Sequence, residues 1–300
     1  MRYITCRYRG AKRIGTLKGD AVELLMQDEG DMLSLVQRLG DDPTVPLKTA
    51  ATVSRDEVEL LAPMQRFRRD ILCTGWNYWD HFEESRGKRD GQDVDKPAAP
   101  TFFTKAPDTA IGPTDPIAYD PYISAKWDYE VELGLVIGKT GRSIARSDAL
   151  SHVFGYFLAN DVSQRDLQRR HGGQWLKGKS IDGTMPMGPV IVTPDELNVP
   201  ELRLQCSLNG RVLQDALVKQ MAFPIEELIA ELSFGMTLHA GDVLITGTPS
   251  GIGNAREPQI FLQDGDEVVS LCRGLGELRN VLVARDLHGA TSVPSMSVAL

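Results

Sequence analysis

The sequence predicts an α+β protein that is mainly β, and three observations carry that expectation. Apolar and β-branched runs of strand length recur along the chain, punctuated by Gly, as in VELGLVIGK and GDVLITGTPSGIG. Asn209-Gly210, inside LRLQCSLNGRVLQDA, is the strongest short-range hairpin signal. Helical spacing, by contrast, is confined to short stretches such as Met32–Leu39 and Pro224–Leu232.

Size and composition bound the rest. The 300 residues suit one large domain, or a large domain with a small one. Hydrophobic residues at 42% and charged residues at 25% are ordinary for a soluble globular chain. A net charge of −8 argues against nucleic acid as a general partner. No run approaches the roughly 20 apolar residues that span a bilayer, so no membrane partner is expected. The segment MRYITCRYRGAKRIG lacks the apolar region of a secretory signal. Cys6, Cys73, Cys206 and Cys272 are scattered without CxxC spacing, as in the reduced thiols of a cytoplasmic protein.

Taken in order, residues 1–66 read as a small N-terminal α/β domain. A meander turns at Gly10 and at Gly19-Asp20, a helix follows over Met32–Leu39, and EVELLAPM closes the unit. No chemistry is evident in it. Residues 67–286 form the larger domain, opening with ILCTGWNYWDHFEES: a strand over Ile71–Thr74, a turn at Gly75, then Asn77, Tyr78, His81 and Glu84. His81 and Glu84 are three apart and so share one face of a helical turn. A carboxylate bonded to an imidazole fixes its tautomer and raises its basicity, as a general base requires. A chance surface ion pair is the alternative. The charged SRGKRDGQDVDKPAAP that follows lacks an apolar period and suits either a lid over the site or a solvated loop. Lys105, ending the strand TFFTK, reaches the site if that strand is central and is otherwise a surface lysine.

The acids come next. In WDYEVELGLVIGK the strand period of two sends Glu130 and Glu132 to one face and Val131 and Leu133 to the other. Two buried carboxylates so close call for a cation between them, and a hard divalent ion is the simplest one. An exposed face carrying two acids is the alternative, and the pair alone does not decide. FGYFLANDVSQRDLQ places Asp161 where a strand gives way to a helix, as a third ligand or as a helix N-cap. Lys177 and Lys179 flank Gly178 in a loop, where a lysine could hold an enolate and the glycine could allow close backbone approach. In GDVLITGTPSGIG, backbone N–H groups and the Thr248 hydroxyl could cradle a carboxylate. FLQDGDEVVSLCRGLGELRNVLV supplies two closing strands, and residues 287–300 read as a loose C-terminal tail.

Eight segments, GWNYWDHFEE, KP…PTFFTK, IGP, DYEVELGLVIGK, NDVSQRDLQ, KGKSIDGTMPMGP, GDVLITGTPSGIG and FLQDGDEV, occur in the order of the fumarylacetoacetate hydrolase family. From about residue 68 to 285 the chain resembles that family, notably its bacterial-type diene-dioate isomerase and acylpyruvate hydrolase members. The resemblance implies a mixed β-sandwich roll behind a small N-terminal domain, and a homodimer. It implies Glu130, Glu132 and Asp161 as metal ligands, for Mg²⁺ with Mn²⁺ or Ca²⁺ as substitutes. It implies His81 and Glu84 as a catalytic dyad on a lid, with Lys179 beside them. Tyr78, Gln168 and Thr248 are its substrate contacts, while Lys177 has no counterpart.

The activity that follows is metal-dependent hydrolysis of a C–C bond in a 2,4-dioxo acid of the acylpyruvate or fumarylpyruvate type. The dyad would activate water, and the metal with Lys179 would take up the electrons of the leaving enolate. The same electron sink serves an isomerase or decarboxylase of a related diacid, such as 2-hydroxyhepta-2,4-diene-1,7-dioate or oxaloacetate. Either way the partner is a small oxo acid, and aromatic catabolism is the common bacterial setting.

Overall fold

The computed structural model describes residues 1–88 and 94–289. Part of the expected lid (89–93) and most of the expected tail (290–300) therefore lie outside the described residues. The rest is mainly β, with four short α-helices at Met32–Asp41, Trp79–Glu84, Arg165–Arg170 and Ile225–Ser233.

A twelve-stranded sheet forms the frame. Its path runs Thr49–Ser54, Ala21–Leu25, Ala11–Lys18, Arg2–Tyr8, Met185–Val192, Val153–Asn160, Val131–Ile137, Val243–Ile245, Ile71–Gly75 and Thr101–Lys105. The N-terminal meander is thus hydrogen-bonded into the sheet of the larger part, through Arg2↔Val192 and Tyr3↔Ile191. A second, five-stranded sheet contains the Asn209-Gly210 hairpin, Arg203–Leu208 with Arg211–Leu217, and the two closing strands Glu267–Cys272 and Gly276–Ala284.

Val131–Ile137 lies inside the large sheet between Val153–Asn160 and Val243–Ile245, and every residue of it is buried. Alternation splits its side chains between two apolar cores. Val131, Leu133, Leu135 and Ile137 enter one, while Val136 enters the other beside Phe157, Ile191 and Ile245. Glu132 shares the side of the strand that Val136 buries, where an unpaired charge would be expensive. The four cysteines are buried and free. Among the described residues no helix is long and apolar enough to cross a membrane.

Candidate active site

Strand pairing brings the three acids together. Asn160 sits opposite Val131, its side-chain carbonyl accepts from Glu130 N–H at 2.9 Å, and Asp161 N–H donates to Glu130 C=O at 2.8 Å. Carboxylate oxygens of Glu130, Glu132 and Asp161 lie within 4.8 Å of one another, and all three residues are buried. Asp161 is not an N-cap, since the following helix begins at Arg165 with Gln164 in that position.

Cations reach two of the acids. Lys179 Nζ donates to Glu130 and Asp161 at 2.6 Å each. Lys105 Nζ donates to Asp161 at 2.8 Å and to Val162 C=O at 3.0 Å, although its strand ends the sheet path rather than occupying its centre. Arg165 bridges Glu130 (2.6 Å) and Asp128 (2.8 Å). Burial alone would raise the Glu130 pKa, but Arg165 and Lys179 outweigh it and hold the group at about 2. Burial would likewise lower Lys179, yet Asp161 and Glu130 keep its pKa raised. Glu132 behaves oppositely. Burial, then Asp161 and Glu130, push its pKa well above the ordinary value, with Gly247 N–H at 2.7 Å opposing them.

This arrangement fits a divalent cation. With Glu132 ionised, Asp128, Glu130, Glu132 and Asp161 face Lys105, Arg165 and Lys179, leaving one negative charge over; the raised pKa records the cost of that charge without a further cation. The surplus falls on Glu132, which has no ion pair among the described residues. Three hard oxygen donors at this spacing suit an oxygen-binding ion. A second acid group, Asp120 and Asp286, is already bridged by His288.

The dyad forms as the spacing predicts. Within Trp79–Glu84, His81 Nδ1 and Glu84 Oε1 are 2.9 Å apart. The other Glu84 oxygen accepts from Gly251 N–H at 2.8 Å, which docks the helix onto the glycine-rich turn. Lys88 Nζ adds a bond to Ala255 C=O. The turn does cradle carboxylates, but they belong to the protein: Gly247 serves Glu132, Gly251 serves Glu84, and Gly253 and Asn254 serve Asp128 at 2.7 and 3.0 Å.

His81, Glu130, Glu132, Lys179, Gln168 and Thr248 line one cavity. Thr248 Oγ1 donates to Val131 C=O and accepts from Gln214, so its hydroxyl also braces the carboxylate strand. Gln168 accepts from Arg165 at 3.2 Å. Tyr78 is buried outside the lining, its hydroxyl without a hydrogen-bond partner among the described residues. Lys177 is exposed. Gly178 is needed for packing against the Gln168 helix, since a Cβ there would lie 2.2 Å from Gln168 N. Asp128 and Arg165 are the members of the cluster that sequence reasoning left out, while Lys105, expected there only if its strand were central, arrives from the last strand of the path. Neither Asp128 nor Arg165 carried a signal in the sequence.

A model of the fumarylacetoacetate (FAA) hydrolase C-terminal family matches residues 70–283. The chain belongs to the fumarylacetoacetate hydrolase family. It is 43% identical over 228 residues to the oxaloacetate tautomerase YisK of Bacillus subtilis, covering 76% of this chain and 74% of that protein. It is 43% identical over 231 residues to the human mitochondrial oxaloacetate tautomerase FAHD2A, covering 76% and 71%. Among solved structures, the fumarylacetoacetate hydrolase of Exiguobacterium antarcticum superposes with a TM-score of 0.81 at 36% identity, covering 95% of this chain and 100% of that one. The 2-hydroxyhepta-2,4-diene-1,7-dioate isomerase of Mycobacterium marinum gives 0.76 at 26% identity, covering 95% and 99%. The protein is thus a family enzyme whose relatives favour isomerisation over the C–C hydrolysis placed first from sequence.

Proposed function

We propose that the protein is a keto–enol tautomerase of a short 2-oxo diacid of the oxaloacetate type. The observation carrying this reading is that His81, held by Glu84, and Lys179, held by Asp161, line one cavity with Glu130 and Glu132. Tautomerisation moves one proton between C3 and the C2 oxygen and needs nothing more than a poised base and a stabilised enolate. The tautomerase names of the sequence relatives support the same choice.

Glu130, Glu132 and Asp161 would hold Mg²⁺, or Mn²⁺ or Ca²⁺ in its place. When bound, such an ion supplies Lewis-acid polarisation of the 2-oxo group, which acidifies the C3 protons. Glu84 engages His81 Nδ1 and leaves Nε2 for the substrate. In the keto-to-enol direction His81 takes a proton from C3. Lys179 spends two N–H donors on Glu130 and Asp161 and keeps the third for the oxygen on which charge develops. His81 then passes the same proton to that oxygen, which gives the enol and restores the neutral imidazole, and the reverse transfers return the ketone.

The second reading, hydrolysis of an acylpyruvate, draws on the likeness to the Exiguobacterium hydrolase. There His81 would deprotonate water instead of carbon. One experiment separates the two. Enol oxaloacetate and an acylpyruvate are offered with Mg²⁺, with and without EDTA, following enol absorbance and identifying products by NMR. EDTA-sensitive conversion of enol to keto oxaloacetate without pyruvate is expected. Release of pyruvate would mean decarboxylation, cleavage of the acylpyruvate would favour the second reading, and no acceleration of either would overturn both.

A further inference from the structure

The cavity has two unlike walls. Glu130, Glu132, Arg165 and Lys179 make one charged, and Trp76, Phe103 and Trp175 make the other aromatic. Proton transfer at a chelated 2-oxo acid, as proposed above, uses the first wall and His81 but none of the second. The aromatic wall is nevertheless built as a unit. Trp175 meets Trp76 at 4.8 Å and 81° and Phe103 at 5.1 Å and 64°, both edge-to-face. Its ring also lies flush on the strand Ile71–Gly75, where a Cβ on Gly75 would come within 2.3 Å of it.

Trp76 is the unusual member. Its φ of 54° lies in the left-handed region, which a bulky side chain rarely adopts and which must be held by surrounding contacts. It stands where the strand Ile71–Gly75 gives way to the helix carrying His81 and Glu84. There it packs edge-on against Phe82 of that helix at 5.8 Å. This backbone sets an indole in the cavity between the proton-transfer helix and the Trp175 wall.

We propose that Trp76 is a specificity-determining residue, its indole limiting the bulk that a planar 2-oxo acid can carry at the end away from the acid trio. The orientation of the substrate rests on the tautomerase reading; the size limit itself does not require turnover. The favoured class is then short 2-oxo acids with a compact, planar far end, with long acyl tails excluded.

The test uses unreactive planar chelators of graded size, oxalate, oxamate and N-butyl oxamate, bound to the Mg²⁺-loaded protein and followed by calorimetry. Trp76→Asn is the main variant, because Asn tolerates a left-handed backbone. Trp76→Leu repeats the measurement should the first fail to fold by circular dichroism. The expected result is a shift of the N-butyl oxamate to oxalate affinity ratio toward the larger ligand by about tenfold or more, the scale on which a pocket discriminates methylenes. An unchanged ratio, or equal loss of affinity for all three ligands, overturns the proposal and makes Trp76 only a support for the helix. Because binding is read without turnover, a wild type that binds oxalate but tautomerises nothing would sink the functional reading and leave this one standing.

Discussion

Glu132→Gln should make the metal-free protein more stable and the metal-binding protein worse. Glu132 is the acid with no ion pair among the described residues, and it lies within 4.8 Å of both Glu130 and Asp161. Two unit charges at 4.8 Å repel by about 3.5 kcal/mol at an effective dielectric of roughly 20. Lys179 offsets part of that, leaving a net relief of about 1–3 kcal/mol when the charge is removed. Glutamine keeps the shape and can still accept the Gly247 N–H at 2.7 Å, so little else is lost. The pH dependence follows from the raised pKa. Such a carboxyl does no harm below its ordinary value of 4.5 and destabilises increasingly as pH rises from there toward its folded value. The advantage of Glu132→Gln should therefore be absent in acid and grow toward neutral and alkaline pH. Thermal unfolding in EDTA should show a rise of about 2–4 °C per kcal/mol, while calorimetry should show Mg²⁺ affinity falling by about a hundredfold, or 2.7 kcal/mol. A variant that melts lower than wild type in EDTA at neutral pH, or that binds Mg²⁺ equally well, would refute the charge reasoning.

His81→Ala should retain Mg²⁺ binding by calorimetry and lose about 10²–10⁴-fold in kcat, the usual share of a general base. Gly251→Ala places a Cβ 2.1 Å from Leu213 O at a φ of 107°, and should cost about 1–3 kcal/mol in urea unfolding. It should also lower kcat, because the Gly251 N–H that holds Glu84 must move. Lys105→Met removes one of the two lysines on the fully buried Asp161, and with Lys179 still at 2.6 Å chemical denaturation should show a loss of about 1–3 kcal/mol.

The parts of the site legible in sequence were those set by local periodicity. Glu130 and Glu132 share a face because strands alternate, and His81 and Glu84 meet because helical turns return after three residues. What sequence left out depends on contacts between distant segments. Arg165 and Asp128 are 37 positions apart and come together only once Trp127-Asp128 pairs with Ser163-Gln164. Lys105, expected in the site only from a central strand, instead reaches Asp161 from the last strand of the sheet path, a placement no periodicity encodes. The glycine-rich turn was legible as a carboxylate cradle. Which carboxylates fill it was not, because that needs the turn, the carboxylate strand and the dyad helix in register.

That turn explains how a crowded set of acids can fold at all. Backbone N–H groups of Gly247, Gly251, Gly253 and Asn254 each fix a protein carboxylate without adding a charge. Lysines or arginines in their places would have neutralised the surplus negative charge and left no electrostatic demand for a cation. With Glu132 ionised, the inner cluster is one negative charge in excess, and a divalent ion would bring it to one positive charge. A dianionic diacid then returns it to one negative charge, whereas a monoanion leaves it neutral. In a buried site those differences are felt at close range, where Arg165 and Lys179 are already committed to Glu130. On the proposed reading, a cation and an anionic oxo acid together bring the cluster to within one charge of neutral, and charge alone does not choose between a monoacid and a diacid.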